Sequence, residues 1–231
     1  MKDYLQMDGL AYKLVPIKTQ NRSPYELGRI DSELMYDIVM NWDWGNSGST
    51  EIYHDPQTRT QGLSYRGNLA RLMETLINEN KIDKAKDIIN LSMENMPVDY
   101  YGYYTFVEPF LDGYYKVGET QKGRALFDQL KKKYQERLDF YAGAPLDEQY
   151  RYLDNILSDM EGYQRNINIL IQNKDREFVE KETLIFNSYI DKFEHFMGDD
   201  NPFEEDIEET PVPIDSAPEV VLDTLLDDSI Q

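Results

Sequence analysis

The stretch Asn-Lys-Ile-Asp-Lys-Ala at Asn80–Ala85 decides the fold, because a similar stretch, Gly-Glu-Thr-Gln-Lys-Gly, recurs 38 positions later at Gly118–Gly123. Each begins with a turn-forming residue, continues through mostly polar residues and ends in a small residue five positions on. A small residue at that place lets two antiparallel helices approach closely. Pro97 stands twelve positions after Ala85, where the second helix would stop. The stretch therefore predicts two successive helical hairpins.

This layout resembles the tetratricopeptide-like hairpin, whose usual period is about 34 residues. Gly123 stands where such a repeat most often has alanine. Repeats of this kind build scaffolds with extended binding surfaces. We therefore expect the function to be binding.

Composition and charge limit the possible partners. The 231 residues are 40% apolar and include no cysteine, so the chain can bury a core but cannot form disulfides or thiolate metal sites. The net charge is −20, and residues 198–231 carry twelve Asp or Glu and no Lys or Arg. Phosphate binding needs a concentrated basic surface, and Lys131–Lys133 is more simply a solvated helix face. Nucleic acid is therefore not an expected partner.

The N-terminal region, residues 1–60, combines an extended segment, one helix and a loop. Alternation in Ala11–Pro16 predicts a short extended segment, and the apolar spacing in Asp31–Met40 predicts one helical face. A turn-rich aromatic loop follows at Trp42–Ser49.

The following segments are predicted to be helical up to residue 197. Residues 61–142 hold the two tetratricopeptide-like hairpins, in which Pro109 should kink the first helix of the second hairpin or delay its start. The apolar stripes expected in these hairpins include Leu69, Leu72, Met73, Leu76, Ala85, Ile88, Ile89, Phe106, Val107, Phe110, Leu111, Leu126, Phe127 and Leu130.

A longer hairpin at residues 143–197 should cover the open end of the array. Its expected stripes include Tyr150, Ile156, Met160, Tyr163, Ile167, Leu170, Ile171, Phe178, Ile185, Tyr189 and Phe193. The acidic, proline-containing segment 198–231 is predicted to be a disordered tail. The predicted fold class is thus all-α, with a short extended N-terminal segment and a disordered acidic tail.

Three stretches, Tyr4–Pro16, Met35–Asn46 and Arg66–Pro97, resemble the C-terminal part of large bacterial polytopic membrane proteins of unknown function that are similar to protein O-mannosyltransferases. The resemblance implies a helical-repeat domain outside the cytoplasmic membrane, on its periplasmic face, attached to a lipid-linked-sugar glycosyltransferase. It also implies that the catalytic acids lie in the membrane-embedded part, so no catalytic residue is carried over to this chain.

Few side chains suggest chemistry. His54 and His195 lie in unrelated contexts, without a second histidine or cysteine at ligand spacing, so we predict no metal, no cofactor and no enzyme site. No stretch approaches eighteen uninterrupted apolar residues, so no membrane span is expected and an isolated fragment should be soluble.

The loop around the two tryptophans is the better candidate for binding. Exposed indoles beside carboxylates and amides suit sugar stacking or peptide anchoring, which makes Trp42, Asp43, Trp44 and Asn46 candidate binding residues. The alternative is that both tryptophans pack the extended N-terminal segment onto the helices.

The tyrosines of Tyr100–Tyr104 form the second candidate. Tyr100, Tyr103 and Tyr104 could line a groove, or they could pack on the preceding hairpin.

Three functions remain open from the sequence. The first is a non-catalytic extracytoplasmic domain that docks a protein or peptide partner, an acceptor substrate or the membrane-embedded part of the parent protein. The second is a free-standing peptide-binding adaptor, with the apolar island Val220–Leu226 as internal competitor. The third is a glycan-binding module, or a hydrolase that uses Asp43 with a second carboxylate. Apolar spans encoded upstream of Met1 would exclude the adaptor.

Overall fold

The computed structural model describes residues 2–19 and 27–197, so the predicted disordered tail and its apolar island lie outside the described residues. The chain divides into two compact units, Met1–Phe193 and Glu194–Gln231. Of the second unit, the structure describes residues 194–197, which are helical. The described part is mostly helical, as predicted, and also contains a small N-terminal sheet. The four predicted domain ranges stay a prediction.

The N-terminal sheet has three short strands: β1, Leu5–Asp8; β2, Ala11–Leu14; and β3, Arg29–Ile30. Their order is β2-β1-β3, with β1 antiparallel to β2 and parallel to β3. The extended segment predicted from alternation is therefore present as a hairpin. The third strand was not predicted from the sequence. Because of this sheet, the described fold is mostly helical and not all-α.

Nine α-helices lie in the described residues: α1, Ser32–Met40; α2, Pro56–Asn78; α3, Ile82–Asn95; α4, Val98–Tyr101; α5, Glu108–Lys116; α6, Thr120–Ala142; α7, Leu146–Arg151; α8, Leu153–Gln172; and α9, Arg176–Met197. Aspartate caps begin two of them. Asp31 accepts a hydrogen bond from the Leu34 amide, and Asp55 accepts one from the Thr58 amide. Each cap satisfies an amide that the first turn leaves unpaired.

One turn geometry joins three helical hairpins. After α2, α5 and α8 come Asn80, Gly118 and Lys174, whose φ angles are 59°, 81° and 58°. In each turn the following amide reaches back across the helix end, as from Lys81 to the Leu76 carbonyl at 2.8 Å. This is a helix C-cap in which one residue adopts the left-handed conformation. It satisfies carbonyls of the last helical turn and reverses the chain. The turn after α8 repeats the two turns found in the sequence.

Small residues in the second helices sit close to the first. Ala85 on α3 is fully buried. At Gly123 on α6, an added Cβ would lie 2.9 Å from Cε2 of Tyr115 on α5. Gly123 therefore replaces the usual alanine because Tyr115 occupies the space of a methyl group.

Three residues of the predicted apolar stripes are exposed and do not belong to the core. Phe106 lies in a 3₁₀ turn, Tyr104–Phe106, and is 42% exposed because α5 begins only at Glu108, with Pro109 in its first turn. The delayed start is one of the two outcomes predicted for Pro109, but the placing of Phe106 on that helix was wrong. Tyr150 on α7 and Ile171 at the end of α8 are also exposed.

The core around α8 is rich in aromatic side chains. Tyr163 on α8 is fully buried, with ring contacts to Phe127, Tyr134, Phe186 and Tyr189. Within residues 2–19 and 27–197, no helix combines the length and the apolar character that crossing a bilayer requires.

Candidate binding site

The loop after α1 brings the two tryptophans together. Asp43 accepts a hydrogen bond from the Gly45 amide at 2.9 Å, and Gly45 adopts a φ of 54°, so the chain turns sharply between Trp42 and Ser47. A Cβ at Gly48 would lie 2.2 Å from the Glu94 carbonyl oxygen, so the loop rests directly on the end of α3. Backbone contacts thus hold the loop in place.

Three aromatic rings form a cluster at this loop. The ring centroids of Trp42 and Trp44 are 5.5 Å apart, and Tyr65 of α2 lies 5.3 Å from Trp42 and 5.4 Å from Trp44. Such separations and tilted arrangements are favourable for aromatic pairs. Sequence reasoning missed Tyr65, although it stands one position before the hairpin stretch Arg66–Pro97.

These rings border a cavity of about 360 Å³, here called the tryptophan pocket. Its walls come from the β1–β2 turn, the loop, α2 and α4, and its main lining residues are Trp42, Asp43, Trp44, Ser47, Tyr65 and Tyr101. A Cβ at Gly62 would lie 2.6 Å from Cδ1 of Tyr101, so a larger residue on α2 would displace that wall. The volume is within the range of small-ligand pockets.

Two polar atoms of the pocket residues lack partners. The indole Nε1 of Trp44 and the hydroxyl of Ser47 are buried, and neither has a hydrogen-bond partner within the part of the chain that the structure describes. Most buried polar atoms in folded proteins are paired, so each unpaired atom needs an explanation. A donor and a hydroxyl beside aromatic walls suit a ligand that carries a hydrogen-bond acceptor.

Trp42 also has the packing contact that the alternative interpretation requires. A Cβ at Gly9, in the β1–β2 turn, would lie 2.8 Å from Cζ2 of Trp42. The Gly9 carbonyl accepts a hydrogen bond from Asn68 of α2 at 2.9 Å. Trp42 therefore joins the N-terminal sheet to the helices while it lines the pocket.

The other candidate residues lie elsewhere. Asn46 is absent from the pocket lining, and its carbonyl accepts a hydrogen bond from the Ser49 amide. Tyr100 donates from its hydroxyl to the Thr50 carbonyl at 3.2 Å. Tyr103 and Tyr104 line a separate cavity. Of the predicted set, the structure thus brings Trp42, Asp43 and Trp44 together in the tryptophan pocket, places Tyr103 and Tyr104 in the other cavity, and leaves Asn46 and Tyr100 outside both.

Arg66 positions the wall opposite the loop. It is fully buried on α2 and donates to the Gly102 carbonyl at 2.6 Å and to the Met96 carbonyl at 2.9 Å. Burial lowers the pKa of Arg66 to about 10, which leaves it charged at neutral pH. The guanidinium lies 5.7 Å from the Tyr101 ring, so it fixes α4 at both ends and holds Tyr101 in the pocket.

The histidines have ordinary surroundings. His54 is buried, with its Nε2 3.2 Å from the Ser49 carbonyl and its ring against those of Tyr100 and Tyr101. His195 lies near the end of α9, beside Phe196. Among the described residues, no group of three or more His, Asp or Glu side chains is placed to hold a metal ion.

No protein-family model, curated protein or solved structure matches this chain. The family resemblance therefore stays a prediction. The geometry of the tryptophan pocket is the basis for the functional proposal.

Proposed function

We propose that this chain is a non-catalytic, tetratricopeptide-like helical-repeat domain that docks a protein partner or an acceptor polypeptide. It would serve a membrane glycosyltransferase-like protein on the extracytoplasmic face of the bacterial cytoplasmic membrane. The repeated left-handed caps at Asn80, Gly118 and Lys174 support the repeat assignment, because equivalent turns generate equivalent hairpins. The membrane location rests on the sequence resemblance alone.

The observation that carries the proposal is the unpaired indole N–H of Trp44 beside an aromatic cavity. A polypeptide offers a backbone carbonyl to such a donor and a side chain to such a cavity. Burial of one aromatic-walled anchor often supplies much of the affinity of an interface. We therefore assign polypeptide docking to the tryptophan pocket.

The charges near the pocket set the preferred peptide. Asp43 is the charged residue among those that line the pocket, and it is exposed. This acidic surrounding favours a peptide with basic side chains and disfavours an acidic one. An unfolded acceptor segment with apolar and lysine side chains fits both features.

Tryptophan fluorescence provides the test, because Trp42 and Trp44 are the only indoles in the chain. A synthetic unfolded peptide of Leu and Lys should give a saturable change in emission, and a matched peptide of Leu and Asp should not. Trp44→Phe removes the N–H and keeps an aromatic ring, so it should weaken binding by about 10-fold. Tyr53→Phe also removes one hydrogen-bonding group from an aromatic side chain, at a highly exposed position outside the pocket lining, and is the matched control.

Two other results would exclude polypeptide docking here. No response to either peptide would leave the domain as a structural brace. A response of Trp42 and Trp44 to free glycans alone would make the loop a glycan site. In the parent protein, deletion of the domain should reduce activity toward protein acceptors and spare small acceptors, and unchanged activity would also contradict docking.

A further inference from the structure

A second cavity, of about 380 Å³, lies between the α4–α5 connection, α6 and α8. Its charged lining residues are Arg137 of α6 and Asp159 and Arg165 of α8. Its neutral polar lining residues are Tyr103, Tyr104, Thr105, Tyr134, Asn155 and Ser158. None of these residues borders the tryptophan pocket. We call this space the Asp159 cavity.

Two ion pairs balance the charge of the Asp159 cavity. Arg137 donates to Oδ1 of Asp159, and Arg165 donates from Nε to Oε2 of Glu108 at 3.1 Å. The four groups sum to zero charge. A cationic or an anionic ligand would have to give up its hydration and would gain little Coulomb energy from groups whose charges sum to zero. A neutral ligand avoids this cost.

In the Arg137–Asp159 ion pair, each side chain has one polar atom without a hydrogen-bond partner among the described residues. Asp159 is only 7% exposed, and its Oδ2 has no hydrogen-bond partner among the residues that the structure describes. The same holds for Nε of Arg137. Burial raises the pKa of Asp159 to about 6 despite the opposing effect of Arg137, as expected for a carboxylate with too few donors. The ion pair in the cavity lining thus keeps one unpaired acceptor and one unpaired donor.

An aromatic wall stands next to these two atoms. The Arg137 guanidinium lies 5.1 Å from the centroid of the Tyr104 ring and 5.4 Å from that of Tyr134. A Cβ at Gly162 would lie 2.6 Å from the Tyr134 hydroxyl, so the glycine is what admits this ring beside α8. The hydroxyls of Thr105 and Ser158 and the amide of Asn155 complete the lining.

We propose that the Asp159 cavity binds one neutral saccharide residue. A sugar hydroxyl would donate to Oδ2 of Asp159, and a neighbouring hydroxyl oxygen would accept from Nε of Arg137. The Tyr104 ring would face the C–H groups of the sugar ring, and the remaining hydroxyls would meet the neutral polar lining. Adjacent hydroxyls match an adjacent acceptor and donor, whereas an apolar ligand would leave both atoms unpaired. This site does not depend on the docking proposed for the tryptophan pocket.

The test is an amide NMR titration of the full chain at pH 7.5 with D-glucose, D-galactose, D-mannose and N-acetyl-D-glucosamine, each alone. At least one sugar should give saturable shifts at Tyr104, Arg137, Ser158 and Asp159, with a Kd on the order of 1 mM. Tryptophan emission should not change, because neither indole lines this cavity. Failure of peptide docking would therefore leave this result untouched, and the reverse also holds.

Matched variants connect the shifts to the cavity. Asp159→Asn should weaken binding by about 10-fold, because it replaces a charged acceptor with a neutral one. Asp154→Asn makes the same change at an exposed position of α8 outside the cavity and should bind like the unmodified chain. Ser158→Ala, at an exposed rim position, gives a second variant whose folding does not depend on Asp159 and should weaken binding by a few-fold.

Several results would overturn the saccharide site. They are the absence of saturable shifts with all four sugars, which would mean that the cavity holds water only; shifts confined to other residues; and equal binding by the unmodified chain and both cavity variants. Binding of glycine or acetate at these residues, without binding of any sugar, would also contradict a neutral ligand.

Discussion

Replacement of Asp159 by asparagine should change how the stability of the fold depends on pH. Burial raises the pKa of this carboxyl from 3.8 to about 6, so the folded state holds a proton that the unfolded state has released between these values. Stability from the protonated form is therefore fully present below about pH 4 and is lost as pH rises through about 6. A difference of about 2 pKa units corresponds to about 3 kcal/mol.

The groups around Asp159 decide how the experiment must be controlled. Arg137 of α6 pairs with it, and Arg165 and Glu161 lie on the same helix. Glu108 of α5, paired with Arg165, also has a pKa raised by burial and titrates in the same direction. Only a difference between two proteins removes this second contribution. The asparagine variant retains Glu108 and both arginines, so the difference reports on Asp159.

The assay is urea unfolding at intervals from pH 4 to pH 7.5, followed by fluorescence. The free energy of unfolding of the unmodified chain, minus that of Asp159→Asn, should fall by about 2.5 kcal/mol across this range, because part of the effect is already lost at pH 4. Asp154→Asn, an exposed change on the same helix, should give a flat difference. A flat difference for Asp159→Asn as well would refute the claim that this carboxylate is buried without enough donors.

Three further changes test the packing of the hairpins. Gly162→Ala should lower the free energy of unfolding, measured in urea, by about 2 kcal/mol, because its Cβ would lie 2.6 Å from the Tyr134 hydroxyl. Gly143→Ala is the control: its Cβ would lie 3.4 Å from the Asp139 carbonyl oxygen, an ordinary contact, and should change that free energy by less than about 0.5 kcal/mol. Asp175→Asn should lower the free energy of unfolding by about 3 kcal/mol, seen as a lower Tm. It replaces a buried carboxylate, which accepts two hydrogen bonds from Arg124, with a neutral amide. Lys174→Gly should raise the free energy of unfolding by about 0.5 kcal/mol, seen as a higher urea midpoint, because a φ of 58° is costly for lysine and not for glycine.

The hairpins could be predicted because their signals are local. Apolar residues at helical spacing, such as Leu69, Leu72, Met73 and Leu76, are all buried in α2. The third turn was harder to see. Asn80 and Gly118 belong to residue types that favour a left-handed φ, but lysine does not, so Lys174 carried no signal beyond polarity.

The sheet shows the limit set by sequence separation. Alternation in Ala11–Pro16 predicted the strand β2, but its pairing with β1 across the tight turn at Gly9, which has a φ of 66°, was not predicted. The two-residue strand Arg29–Ile30 pairs with β1 from more than twenty positions away and is too short to show a period. Its position is fixed by tertiary contacts, including the hydrogen bond from Arg29 to Gln6 at 3.0 Å.

The candidate site was predicted only where residue type was distinctive. Trp42 and Trp44 stood out because the chain has no other tryptophan. Tyr65 and Tyr101 complete the pocket, but they are two of eighteen tyrosines, and most aromatic residues in helices serve the core. Asp159 offered no signal at all, because its burial depends on how α6, α8 and the α4–α5 connection meet.

A single chain segment serves both cavities. Tyr101, at the end of α4, lines the tryptophan pocket, and Tyr103, two residues later, lines the Asp159 cavity. Between the two tyrosines, Gly102 has a φ of 63°, and Tyr103 itself has a φ of 48°, a conformation that is costly for a residue with a side chain. The buried guanidinium of Arg66 donates to the Gly102 carbonyl and holds this turn. Because Arg66 fixes α4 and the turn, Tyr101 and Tyr103 enter different cavities, and the run Tyr100–Tyr104 does not line a single groove.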